Sequence, residues 1–210
     1  MAGYFDNAEA FHEAAVGLDQ SGAHGVYFTL NPVKPELLAR SCNRLDTNIS
    51  TTGDEHVRAI RWLPIDVDPV RVSGISSTQE ELDAARMVAE AVAGFLEEKI
   101  GFPSGIRAMS GNGWHLLYRM SDREVNPEIV RMVRSSLAVL AKKFDTPAAK
   151  VDTGVFNPAR IWKLYGTVSR KGDSTPDRPH RRSRLYSPRS LEDVPIANAR
   201  ETRSAAGPED

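Results

Sequence analysis

The sequence predicts an α/β (α+β) fold built on a split βαββαβ unit, with a second, small α/β layer supplied by the flanking segments. Three observations carry this: an apolar run at 62–67 that stops at Asp68 and Pro69, two stretches with helical spacing and start signals, and a glycine-rich link between two strand-like segments.

Residues 25–30 read as a strand ending at Asn31 and Pro32, and 36–45 as a short helix. Residues 61–68 hold Trp62, Leu63, Ile65 and Val67, a run too short for a helix and bounded by proline, hence a buried strand. A helix should follow, because Ser77 and Glu80 have capping-box spacing and Leu82, Ala85, Ala89, Val92 and Leu96 recur at helical intervals before Gly101. Residues 105–110 and 114–120 flank Gly111, Asn112 and Gly113, a link suited to a tight hairpin. Asn126 as cap and Pro127 in the first turn open a second helix, with Ile129, Val133, Leu137, Leu140 and Phe144 on one face. Residues 150–156 complete the unit, and 161–168 and 182–186 read as two more strands. The order strand, helix, strand, strand, helix, strand is that of RRM/ferredoxin-like folds.

A chain of 210 residues, 40% hydrophobic, can bury a core without staples. Its single cysteine, Cys42, excludes an internal disulfide and fits a reducing compartment. No apolar run approaches the roughly 20 residues needed to span a bilayer, so a cytoplasmic protein with no membrane partner is expected. Basic residues number 27 against 28 acidic ones, but 160–184 concentrates eight basic residues against two acidic. That segment is either a solvated hairpin or a surface for polyphosphate or nucleic-acid backbone. From Ser187 the composition turns to that of a linker or frayed terminus, with a following domain expected.

The topology makes a geometric claim. In a split βαββαβ sheet the third and fourth strands both run antiparallel to the first, so the end of the first lies near their starts. Asp66 and Asp68 at the end of the first strand, Ser110 at the end of the second, His115 at the start of the third and Asp152 at the start of the fourth are therefore expected at one rim. Asp66 and Asp68, two apart, share a face, and adjacent anions in a buried place call for a cation such as Mg²⁺ or Mn²⁺. The plainer alternatives are a strand-ending turn at Asp68 and Pro69 and a core role for His115, though Gly111 and Gly113 beside it would free backbone amides for an anion. Trp62, Trp114 and Trp162 read as packing residues.

Trp-Leu-Pro-Ile-Asp-Val-Asp-Pro at 62–69, Ser-Gly-Asn-Gly-Trp-His-Leu-Leu-Tyr at 110–118 and Val-Asp-Thr-Gly-Val-Phe-Asn-Pro-Ala-Arg-Ile-Trp-Lys-Leu-Tyr-Gly-Thr at 151–167 resemble the three motifs of the archaeo-eukaryotic primase superfamily, specifically the primase-polymerase domains of mobile elements and their CRISPR-associated relatives. The resemblance implies a catalytic domain over 1–186, with 61–156 as its RRM-like palm, 20–60 and 157–186 as an accessory α/β module, and 187–210 as a linker or disordered tail. It implies template-directed, two-metal nucleotidyl transfer from an NTP or dNTP to a 3′-hydroxyl, with Asp66, Asp68 and Asp152 holding Mg²⁺ or Mn²⁺. Ser110, Gly111, Asn112, Gly113, His115 and Lys163 would bind nucleotide. Arg160, Arg170, Lys171, Arg178, His180, Arg181 and Arg182 are further candidates for phosphate or template. The implied partners are a single-stranded DNA template, a primer, the nucleotide, and a helicase or CRISPR nuclease. A zinc module cannot be built with one cysteine. A rolling-circle replication nuclease would need paired histidines one residue apart, whereas position 113 is glycine. A non-catalytic nucleic-acid-binding module would have no need of the carboxylates.

Overall fold

The computed structural model describes residues 1–187; the tail expected over 187–210 falls, from residue 188 on, outside the described residues. In chain order the elements are helix α1 (Ala8–Gln20), strands β1 (Tyr27–Thr29) and β2 (Ala59–Pro69), helix α2 (Gln79–Gly94), strands β3 (Ile106–Met109) and β4 (Trp114–Glu124), helix α3 (Pro127–Phe144), and strands β5 (Ala149–Val151), β6 (Ile161–Lys163), β7 (Val168–Ser169), β8 (Arg181–Arg182) and β9 (Arg184–Ser187). A five-stranded sheet in the order β5-β2-β4-β3-β9, antiparallel at every pairing, forms the centre of this mixed α/β protein.

Alternation along β2 sends Leu63, Ile65 and Val67 to the helices and Asp66 and Asp68 to the opposite face. Ile65, Val67, Val92 and Leu137 are wholly or almost wholly buried in one cluster that joins β2, α2 and α3. Pro64 sits inside β2, where a missing N–H normally breaks a ladder. Asp66 O accepts the Asp152 N–H, so Pro64, of the same parity, turns its nitrogen to the β5 side, and β5 pairs only with Val67, Asp68 and Pro69. The proline therefore costs no strand bond there.

Helix α3 begins as its sequence signals require: the Asn126 side chain accepts from the Glu128 and Ile129 amides, and Ile129, Val133, Leu137 and Leu140 are buried. Helix α2 starts one residue later than Ser77 and Glu80 imply. Thr78 is the cap and Glu81 closes the capping box, because Ser77 spends its amide and hydroxyl on Asn112. Past Gly94 the helix widens into a π turn over Phe95–Lys99.

The flanking segments depart further from expectation. The helix expected at 36–45 is a 3₁₀ turn over Pro35–Arg40, opened by proline and closed at Ser41. The strand expected at 150–156 stops at Val151, since Asp152 turns the chain by accepting the Gly154 amide. The run 161–168 divides into β6, paired with β1, and β7, paired with β8. The strand expected at 182–186 does not belong wholly to a second layer. Arg181 and Arg182 pair with β7, and β9 adds to the main sheet beside β3. Helix α1 has no counterpart in the sequence reading; it buries only Ala15 and Asp19, too few apolar positions to give a helical stripe. No helix among the described residues is long and apolar enough to cross a membrane.

Leu137, fully buried where α3 meets the sheet, tests this packing. Leu137→Ala is expected to lower the unfolding free energy by about 3 kcal/mol in chemical denaturation. A loss near zero would mean that α3 does not complete the core.

Candidate functional site

Strand pairing brings the rim together. Asp66 lies opposite His115, Val67 opposite both Trp114 and Val151, and the Asp152 amide donates to the Asp66 carbonyl at 2.8 Å. Asp66, Asp68, Ser110, His115, Asp152 and Lys163 all line one cavity of about 310 Å³. A larger cavity, about 500 Å³, lies between α1 and the 164–167 segment, but its one carboxylate, Asp19, is bonded into the fold.

Burial and the charge of Asp66 push the Asp68 carboxyl up to about 6, against the opposing pull of Lys171, Arg71 and His115. Arg71, almost buried, holds Nη1 at 3.9 Å from Asp68 Oδ1. Asp66 Oδ1 is buried and makes no hydrogen bond. His115 Nε2 lies 3.4 Å from it, close enough for Coulombic attraction but without hydrogen-bond geometry. Gly113 makes room for this pair: a Cβ there would lie 2.9 Å from Asp68 Oδ1 and 2.6 Å from the Val67 carbonyl. Asp152 is exposed at the cavity edge, one oxygen accepting the Gly154 amide at 2.7 Å.

The glycine turn serves the fold more than an anion. The Gly113 amide donates to Ser110 Oγ at 3.0 Å, and the Gly111 amide to the Met109 sulfur at 2.9 Å, so neither offers its N–H to the cavity. Gly111 has φ +109°, and a Cβ would meet that of Ser169 at 2.5 Å. The buried Asn112 amide group is committed at both ends, accepting from the Ser77 amide and donating to Ser169 Oγ.

Most of the basic segment is likewise hydrogen-bonded within the fold. Arg178 makes a two-pronged pair with Glu81 at 2.7 and 2.9 Å and bonds the Ser76 carbonyl. Arg181 donates to the Ser77 carbonyl, and His180 Nε2 meets the Gly172 carbonyl at 2.8 Å. Arg170 and Arg182 converge on Asp19. Burial alone would raise the Asp19 pKa, but the Val168 amide and the two guanidiniums more than offset it and hold the carboxyl below the usual range. Arg160, Lys163 and Lys171 do line the cavity. Arg160 donates to the Gly154 carbonyl. Lys163 is buried, gives a hydrogen bond to the Val168 carbonyl at 2.9 Å, and is pushed down to about 8 by desolvation, with Asp19 opposing.

Two aromatic residues, Trp162 and Tyr27, complete the wall, and a third, Tyr165, stands behind it. Trp162 packs on the His115 ring at 4.1 Å between centroids and donates its Nε1–H to the Tyr165 hydroxyl at 2.8 Å; that hydroxyl lies 3.0 Å from His115 Nδ1. Burial pushes the Tyr165 phenol well above its ordinary pKa, with the Trp162 bond opposing. Tyr27 lines the mouth, brought there by its pairing with Lys163 across β1 and β6. Tyr27, Arg71 and Tyr165 escaped the sequence reading: Tyr27 reaches the cavity only through the β1–β6 pairing, Tyr165 meets the site only through its hydroxyl at His115, and no periodic pattern marks Arg71, three residues past Asp68.

The donor chemistry of Asp66 and Asp68 fits a hard divalent cation: an orphaned buried oxygen beside a carboxyl whose charge the site opposes. Asp152 lines the same cavity, but among the described residues no group of three or more His, Cys, Asp and Glu side chains is arranged to hold a metal ion. No protein-family model and no curated protein matches the chain.

A carboxyl raised in the folded state loses stability as pH climbs from its unfolded value through its folded one. Between about pH 4 and pH 6 the wild type should therefore lose ground to Asp68→Asn, by about 1 kcal/mol at pH 7 once screening of a side chain 44% exposed is allowed for. Denaturation across that window checks it; a variant no more stable than wild type at pH 7 contradicts it. Replacing Arg178, Arg181 and Arg182 together with Gln should lower the melting temperature and leave the salt slope of single-stranded DNA binding nearly unchanged, since their guanidiniums are spent internally. A slope reduced by about two, roughly 0.7 for each of three contacts to a single strand, would return them to phosphate contact.

Proposed function

We propose that the chain is a template-directed primase-polymerase that transfers nucleotidyl groups from an NTP or dNTP to a primer 3′-hydroxyl. The observation that carries this reading is the Asp66–Asp68 pair facing His115 and Asp152 on the sheet face away from the helices, in a cavity also lined by Lys163 and Lys171. The strand order β5-β2-β4-β3, with one helix after β2 and one after β4, supports reading this unit as an RRM-like palm, with the β1–β6 and β7–β8 pairs as the accessory module. That unit is what the three motif resemblances require.

Mg²⁺ or Mn²⁺ bound by Asp66 and Asp68 would acidify the 3′-hydroxyl and neutralise the triphosphate. Without it the two carboxylates repel both each other and a polyanionic substrate. Asp152, one of whose carboxylate oxygens accepts the Gly154 amide, would offer its other oxygen to the ion. His115 and Lys171 supply donor and charge on the wall facing the carboxylates, and Lys163 adds a cation once its bond to Val168 is exchanged for phosphate. Ser110 holds the turn that sets Gly113 against Asp68. The template and primer are read as DNA.

Primer extension on single-stranded DNA with Mn²⁺ tests the proposal. Wild type should incorporate nucleotides, and Asp66→Ala or Asp152→Ala should lower incorporation by about a thousandfold, the several kcal/mol of a lost metal ligand, with the melting transition retained. DNA binding without any incorporation by wild type would instead mark a non-catalytic binding module, the reading that the Asp152–Gly154 bond favours.

A further inference from the structure

Tyr165 is absent from the rim itself, yet its hydroxyl touches the one imidazole that forms the wall. A tyrosine hydroxyl has one hydrogen to give and two lone pairs to receive with, and an indole nitrogen can only donate. The Trp162 Nε1–H therefore occupies one lone pair of the Tyr165 oxygen. His115 Nδ1, 3.0 Å from the same oxygen, either accepts the phenolic hydrogen or donates a hydrogen of its own.

The two arrangements differ at the other end of the ring. If Nδ1 carries the hydrogen, the phenolic hydrogen has no acceptor among the described residues. The bare Nε2 lone pair then faces Asp66 Oδ1 across 3.4 Å, electron pair against anion. If Tyr165 donates, Nδ1 is the acceptor and Nε2–H faces the carboxylate. Both bonds in the second arrangement run the same way, Trp162 to Tyr165 to His115, so polarisation along the chain reinforces it. The high phenol pKa keeps the hydrogen on Tyr165.

We infer that Tyr165 is a positioning residue that, with Trp162 behind it, selects the Nε2–H tautomer whenever the His115 ring carries one hydrogen, and so turns a hydrogen-bond donor, not a lone pair, toward the cavity. An imidazole held this way suits an anionic oxygen and disfavours a metal ion at Nε2, because a metal needs the lone pair there. This deepens the nucleotidyl-transfer reading at one point: His115 acts on the phosphate side of the site and is not a fourth metal ligand. Its bond to Tyr165 holds the ring against Trp162, and it costs no charge in a cavity that already repels its own carboxylates.

The test is the side-chain ¹⁵N spectrum of His115 at pH 8, where an ordinary histidine is neutral. Wild type should give the Nε2–H tautomer alone. Tyr165→Phe, which removes the hydroxyl and keeps the ring, should give a mixture, and should weaken the binding of inorganic triphosphate about tenfold, the worth of one oriented hydrogen bond. The Nδ1–H tautomer in wild type, or an unchanged tautomer in a folded Tyr165→Phe, overturns the inference. If that variant fails to fold, Trp162→Phe, which removes the donor behind Tyr165, takes its place: a shift from Nε2–H alone toward a mixture supports the inference, and an unchanged tautomer overturns it. The readout needs no catalysis, so its result is independent of whether the chain incorporates nucleotides.

Discussion

The pairing of β2 with a strand on each side is the constraint on which the site depends. Because β4 and β5 both run antiparallel to it, the end of β2 meets the start of each, and Asp66, His115 and Asp152, far apart in sequence, become neighbours. A one-residue slip in either register would send Asp66 and Asp68 into the helix-packed core and Ile65 and Val67 into the cavity. Burial of Ile65 and Val67 therefore fixes where the carboxylates point, and packing and chemistry share one alternation.

The rest of the rim accommodates two carboxylates that repel. Gly113 leaves the space that Asp68 fills, Arg71 and Lys171 oppose its charge from two sides, and His115 faces Asp66. Around this lies a polar frame in which Asn112 ties the glycine turn to Ser77 and Ser169, while Arg178 and Arg181 tie the β7–β8 hairpin to the start of α2. The frame fixes the glycine turn beside the two carboxylates.

The periodic elements were legible in the sequence because burial sets the pattern: Ile129, Val133, Leu137 and Leu140 in α3, and Leu82, Ala85, Ala89 and Val92 in α2, are the buried positions that spacing picks out. Convergence at the rim followed from topology alone. The destinations of the basic side chains were not legible, because charge density says nothing of partners: Glu81, which takes up Arg178, lies 97 positions away along the chain, and Asp19, which takes up Arg170 and Arg182, lies 151 and 163 positions away. The start of α2 misled by one residue for the same reason, since Ser77 is claimed by Asn112, 35 positions downstream. Helix α1 left no stripe because its inward contact is a carboxylate.

Asp66 and Asp68 are proposed together to hold a divalent cation. Anomalous diffraction at the manganese edge, from crystals equilibrated with Mn²⁺ and a non-hydrolysable nucleoside triphosphate, tests it most directly. The account predicts a manganese peak in contact with both carboxylates and with triphosphate oxygens. A bound triphosphate with no manganese at Asp66 and Asp68 would contradict it.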